Sequence, residues 1–277
     1  MADREPNAHR FMDLTVPEYA YMFGFLQADG HLHQGPGRKG RLTVELNVRD
    51  IDLLYRFKHL TPYNSSVTER ERSTNYAENQ HSATWTLCSL EGRTRLNELG
   101  LPYGRKSRAI APPNGGFAER DYLRGLIDAD GSLGFADRGW PILSLTTSST
   151  AISTYVCSYA RQVTGVERTV NRNTRDEVYN ILYAKEAAQD LAADLYYPGC
   201  MSLGRKQVKA DAIASWRRPP DMRVVHSRRN WTAQEDLTLL RSHDITAVAH
   251  ELGRTEQSCR LRLWRLRNGR LLMPSEQ

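Results

Sequence analysis

The 277-residue chain, 40% hydrophobic and 25% charged, can build one large core or two smaller ones. It has no run near the ~18 apolar residues of a membrane span, no signal-like N-terminus (MADREPNAHR) and no cysteine pair spaced for zinc or a disulfide framework. The formal net charge of +6 is concentrated, with 12 Arg against 7 acidic residues over 217–277, which points that last quarter toward a polyanion. An intracellular protein is expected, without membrane association, with Cys88, Cys157, Cys200 and Cys259 reduced and mostly buried.

Residues 18–32, EYAYMFGFLQADGHL, read as an apolar helix stopped at Gly30. RLTVELNVR (41–49) alternates strictly, so Leu42, Val44, Leu46 and Val48 predict a buried face. Arg41, Thr43, Glu45, Asn47 and Arg49 make the polar one. A helix over 50–60 follows with Asp50 as N-cap, then strands over 65–72 and 82–90 and a helix over 91–99. Residues 119–133, ERDYLRGLIDADGSL, open a second such series, with a helix stopped at Gly131. Strands are expected near 131–137, 141–148, 166–173 and 177–183, with helices near 149–163 and 185–195. Ser144, Thr146 and Ser148 form its polar strand face.

The two series are one pattern repeated. Gly24, Leu26, Ala28, Asp29 and Gly30 match Gly125, Ile127, Ala129, Asp130 and Gly131 at an offset of 101 residues. Lys106 and Lys206, each in a Gly-Arg-Lys run, trail their Asp by 77 and 76 residues. The fold class read from this is α+β: two pseudo-symmetric αββαββα halves (12–113 and 114–213) forming a saddle of antiparallel sheets.

Two features of the repeated helix are not generic. Gly24 and Ala28, like Gly125 and Ala129, stand four apart, a spacing that lets two helix backbones approach closely. An Asp in the last turn, moreover, adds charge to an end that already carries about half a negative charge. If the helices pack in parallel, Asp29 and Asp130 meet and repel. Divalent cations would resolve the conflict, because carboxylates and free carbonyls are hard oxygen ligands suited to Mg²⁺.

These residues resemble the two signature motifs of the LAGLIDADG homing endonucleases. LRGLIDADG (123–131) matches eight of nine positions, and MFGFLQADG (22–30) is a looser copy with Gln27 where Asp128 stands in the other. The resemblance spans roughly residues 12–213 and implies a single-chain pseudo-dimer that makes metal-dependent double-strand breaks in a long DNA target. It implies that Asp29 and Asp130 bind catalytic Mg²⁺, two or more ions, with the carbonyls of Ala28 and Ala129. Lys106 and Lys206 would stabilise charge or position water, and the polar strand faces would read the major groove. His31 and His33, beside Asp29, are read as DNA contacts or surface. No splicing hallmark is present, so a free-standing protein is expected rather than an intein.

Residues 214–229 read as a basic linker, and 230–271 as three short helices. Thr232 and Glu235 are spaced as a capping box, Ile245 to Leu252 form a second helix ending at Gly253, and Thr255 caps a third. The Trp-Thr-x-x-Glu-Asp opening, the Leu-Gly-Arg-Thr turn and the basic third helix resemble a Myb-like helix-turn-helix. That resemblance implies DNA contacts from Arg260, Arg262, Arg265 and Arg267, although four arginines so spaced cannot share one face.

The expected partner is double-stranded DNA, bound by a monomer with no obligate protein partner. Two other readings stay open: a catalytically silent DNA-binding regulator built on the same fold, and an RNA maturase assisting intron splicing. Arginine outnumbers lysine 32 to 6, a bias that fits a GC-rich bacterial or phage-infected cytoplasm.

Overall fold

The computed structural model describes residues 10–33, 39–74, 77–220, 222, 231–269 and 271. Helix α1 (Pro17–Asp29) opens on a proline, which suits a first turn lacking intrahelical partners, and buries every residue from Ala20 to Gln27. Helix α4 (Glu119–Asp130) does the same from Asp121 to Asp128. α1 is apolar nearly all round, whereas α4 buries the charged Asp121, Arg124 and Asp128 among its apolar residues, and the two pack against each other at the centre of the core.

Their contact is backbone on backbone. A Cβ on Gly24 would fall on the Tyr122 carbonyl oxygen, and one on Gly125 on the Tyr21 carbonyl oxygen, both well inside the 3.0 Å that real Cβ atoms keep. The expected close approach is therefore present at Gly24 and Gly125, and glycine is sterically required in both helices.

Around α1 the chain forms β1 (His31–Leu32), β2 (Leu42–Asn47), α2 (Ile51–Leu60), β3 (Ser65–Thr74), β4 (Ala77–Leu87) and α3 (Leu90–Glu98). The sheet order is β1-β2-β4-β3, all pairs antiparallel. Leu42, Val44, Ala83 and Trp85 point into the core, while Thr43, Glu45 and Asn47 point away. Around α4 come β5 (Gly131–Phe135), β6 (Pro141–Thr147), α5 (Thr150–Thr164), β7 (Tyr179–Ala184), α6 (Glu186–Leu195) and α7 (Gly204–Ala214). Their sheet is antiparallel in the order β5-β6-β7. The architecture is α+β with two antiparallel sheets.

Four local expectations are corrected. The strand expected at 166–173 reduces to one bridge, Arg172 to Tyr179, as the segment turns back through hydrogen bonds between Asn173 and residues 177–178. Asp50 precedes α2 but makes no side-chain cap; its carboxylate instead pairs with Arg205 of the other half, at 3.0 Å. Arg49 lies beyond β2 in a 3₁₀ turn over Val48–Asp50, where its backbone N–H donates to the Asn47 side chain. All four thiols are free, but only Cys259 is buried.

Residues 219–277 form a unit of their own. Helices α8 (Ala233–Arg241), α9 (Ile245–Glu251) and α10 (Glu256–Arg267) enclose Leu239, Val248, Ala249, Cys259 and Leu263. Both bonds of the Thr232–Glu235 capping box form, and Asp244 and Thr255 cap the next two helices. Among the described residues no helix is long and apolar enough to cross a membrane.

Replacing Gly24 or Gly125 by Ala is expected to lower unfolding stability by about 1–3 kcal/mol or more, because backbone must move to admit the methyl. Gly204→Ala is the control: it starts a helix with nothing near its Cβ position and should be neutral or slightly stabilising. Equal urea midpoints for all three variants would contradict the close seam.

Candidate active site

Parallel packing brings the C-terminal ends of α1 and α4 together. Asp29 and Asp130 each end their helix with a solvent-accessible side chain, yet in dense protein surroundings. Burial pushes the Asp29 carboxyl above the usual carboxylate range and the charge of Asp130 adds to the rise, while Lys106, Lys206 and Arg205 oppose it. Asp130 is raised by burial too, against the pull of the same two lysines.

The lysines sit where helix-end electrostatics calls for cations. Lys106 Nζ donates to the carbonyls of Gln27 (2.6 Å) and Ala28. Lys206 Nζ donates to those of Ile127 (2.6 Å), Asp128 (2.7 Å) and Gly131 (2.9 Å). Each lysine thus closes the end of its own half's central helix with a charge from a distant segment. Burial lowers both ammonium groups to about 8, although Asp29 and Asp130 favour their charged forms. Lys206 stands in α7 and is buried, whereas Lys106 is partly open. Ala28, expected to offer its carbonyl to metal, has that oxygen engaged by Lys106.

Behind the acids the helices are cross-tied by tyrosines that sequence reasoning missed, although Tyr21 and Tyr122 also stand 101 apart. Tyr21 donates to Asp128 (2.7 Å) and Tyr122 to the Gln27 side-chain oxygen (2.5 Å), each reaching the position two before the other helix's terminal Asp. The surroundings explain why these positions differ. Asp128 meets donors only, adding Tyr196 (2.6 Å) and the Leu203 N–H (2.7 Å) to Tyr21. Gln27 faces the carbonyls of Gly100 and Ala111, both at 3.0 Å, and satisfies them with an amide that a carboxylate could not supply. The departure from the motif is thus an adaptation to local hydrogen bonding.

The two ends open differently. Asp29, His31, His33, Tyr103 and Lys106 line a cleft of about 800 Å³. Asp130 shares a space of about 130 Å³ with Gln27, Ala28 and Ser107 of the first half and with Thr146 and Ser148 of the second. The cleft at Asp29 is thus lined by the first half alone, whereas the space at Asp130 draws on both halves. Among the described residues no three His, Cys, Asp or Glu side chains gather to hold a metal. The side-chain donor set at the converged ends is the Asp29 and Asp130 carboxylates. That set fits Mg²⁺, which keeps several waters and is commonly held by one or two carboxylates together with substrate phosphate.

On the first sheet, exposed Glu45 accepts a hydrogen bond from Ser82 (2.7 Å), and on the second Thr146 donates to Asn180 (3.0 Å). Ser144 and Ser148 are half-buried. In the C-terminal unit the arginines divide. Arg262 forms a two-point ion pair with buried Asp236 (2.6 and 2.7 Å) and so turns inward. Arg260, Arg265 and Arg267 are exposed, Arg260 pairing along its own helix with Glu256.

No family model matches the chain, and no curated protein does. Among solved structures it is similar to the LAGLIDADG homing endonuclease I-LtrWI bound to target DNA (10% identity, 72% of this chain and 88% of that one, TM-score 0.45). It is also similar to the homing endonuclease I-GzeII in complex with DNA (11%, 72% and 88%, 0.46) and to variants of I-DmoI (12%, 72% and 100%, 0.46).

Because both acids have folded-state pKa values above their unfolded ones, ionising them opposes folding. That penalty is absent below the ordinary carboxylate pKa of about 4 and develops as pH rises through the raised values. The double variant Asp29→Asn, Asp130→Asn is therefore expected to melt higher than the parent at pH 7 without metal and to lose that advantage at pH 3. A lower melting point at pH 7 would contradict an unfavourable acid pair.

Proposed function

We propose that the chain is a LAGLIDADG-type, site-specific DNA endonuclease that cuts both strands with Mg²⁺. The observation that carries this reading is the convergence of two helix-end carboxylates, each with its own lysine, on a seam whose backbone contact only glycine permits. A structural role alone does not account for placing like charges there, since they work against the fold. Hydrolysis of two phosphodiesters does, because each strand needs a centre and the duplication supplies two.

In this reading Asp29 and Asp130 hold the metal, with backbone oxygens at the helix ends. Bound there, Mg²⁺ supplies charge stabilisation at the phosphate and the leaving oxygen and a more acidic water. Asp29 and Asp130 fix the position at which the phosphate docks. Lys106, partly open in the cleft, is placed to contact phosphate oxygen or orient water. Lys206, held by three carbonyls, keeps the end of α4 in position. His31 and His33 line the cleft as phosphate contacts, and the polar faces of β2 and β6 lie against base edges. One chain supplies both centres, so it acts as a monomer. The helices α8–α10 are a helix-turn-helix whose α10 enters the major groove through Arg260, Arg265 and Arg267.

Incubating the protein with a randomised duplex library in Mg²⁺ and sequencing the cut ends is expected to return one recurrent site cut on both strands. In Ca²⁺ the same site should be bound. The Asp29→Asn, Asp130→Asn variant should lose cutting by at least about a hundredfold, since metal charge stabilisation is worth several kcal/mol. Undiminished cutting by that variant, or uncut bound DNA in every metal, would overturn the reading.

The tail gives a separate expectation. Arg260→Ala should weaken DNA binding and reduce its salt slope by about one, with unchanged amide-exchange protection across α8–α10. Arg262→Ala should lower that protection by about 1–3 kcal/mol, because Asp236 is left buried without its partner. Equal effects of the two substitutions on both readouts would contradict the division.

A further inference from the structure

The outward faces of the two sheets differ in chemistry. On the first, Thr43, Glu45 and Asn47 of β2 stand opposite Thr86, Thr84 and Ser82 of β4. Those three in turn face Ser66, Thr68 and Arg70 of β3. Every one of these side chains carries a hydrogen-bonding group. On the second sheet one row reads Ser132, Ser144, Leu182, the next Gly134, Ile142, Ala184, and Thr146 faces Asn180.

That second face carries no charge and sets Ile142 and Leu182 on neighbouring diagonal positions. The alternate residues Leu143, Leu145, Ile181 and Tyr183 fill the core, so the outward apolar pair is not needed for packing. Leu182 is 44% exposed and lies on the edge strand β7, where a solvated sheet normally carries charge.

The face is continuous with the site. Thr146 and Ser148 line the space that holds Asp130, and β5 begins at the residue after it. Cations flank the uncharged floor: Arg172 at the near end, bonded to the Ser148 carbonyl (2.9 Å), and Arg138 and Lys185 beside Trp140 at the far end. A polyanion crossing Asp130 would therefore meet cationic residues at both ends of an uncharged strip. From Thr146 to Ile142 is four strand residues, ~13 Å, or about four base-pair steps along a duplex.

We propose that the second sheet selects its half-site through apolar contact of Ile142 and Leu182 with thymine methyl groups, whereas the first sheet reads by hydrogen bonds. The proposal rests on the reading that duplex DNA lies across both sheets. Thymine is the one base that offers a methyl in the major groove, so this chemistry discriminates without a charged or amide side chain.

The test uses the full chain in Ca²⁺ and the duplex recovered from the randomised library, with each thymine replaced in turn by uracil, which lacks only the methyl. In one half-site at least one or two replacements should weaken binding about fourfold each, the equivalent of ~0.8 kcal/mol for a CH₂-sized group removed from contact. Leu182→Ala and Ile142→Ala, both on an outward face, should melt like the parent and bind thymine and uracil duplexes alike. A methyl effect in the other half-site, where Thr43, Thr68, Thr84 and Thr86 carry methyls of their own, should be unchanged in both alanine variants. Uracil tolerance throughout, or methyl effects that both alanine variants retain in both half-sites, would overturn the proposal while leaving the endonuclease reading in place. A concentration-dependent dimer lost on Leu182→Asn would overturn it too, by assigning the strip to a second copy. Recovery of no duplex at all would defeat the DNA reading itself.

Discussion

The approach of α1 and α4 at Gly24 and Gly125 is the constraint on which the rest of the molecule depends. At that distance each helix meets the other's carbonyl oxygen directly, and no side chain fits between them. Tyr21 and Tyr122 can then reach across to Asp128 and Gln27, which fixes the rotation of each helix about its axis. With rotation and register set, the last turns must end side by side. The position of Asp29 relative to Asp130 is thus decided five residues earlier, by what glycine lacks.

Such a seam concentrates negative charge: two helix C-termini and two acids converge at one end. The chain answers with Lys106 and Lys206, brought from segments about 80 residues downstream to the carbonyls of the last turns. Their burial lowers both ammonium groups to about 8, so the compensation is itself strained, and the acids remain above their ordinary range. Relieving that charge is the part the proposed divalent cation would play. The halves are nevertheless unequal. Asp128 sits among donors and Gln27 among carbonyls, and the cleft at Asp29 is far larger than the space at Asp130. A duplicated frame has been fitted to two different surroundings.

Much of this was legible in the sequence because it follows local rules. The helix-seam glycines, the repeated terminal Asp, the alternation of β2 over Leu42–Asn47 and the Thr232–Glu235 box each need only a short window, and these stand in the structure as read. What escaped depends on distant partners. Asp50 is spaced as a helix cap, but Arg205 lies 155 residues on and takes its carboxylate. Arg262 is one of four similar arginines until Asp236 selects it. The segment 166–173 has strand-like composition but only one bridging residue, since a hydrogen-bonded turn claims its end. The outward-facing Ile142 and Leu182 were hidden for the opposite reason: apolar residues in a strand are read as core until the register shows otherwise.

The central claim is that the converged helix ends form a divalent-metal site. Its most direct test is the anomalous signal of Mn²⁺ in crystals of the full chain with an uncleaved duplex, collected for the parent and for Asp29→Asn, Asp130→Asn. The account predicts peaks against the Asp29 and Asp130 carboxylates in the parent that vanish in the variant, with both central helices unmoved. Peaks that persist in the variant, or parent crystals with Mn²⁺ bound only elsewhere, would contradict it.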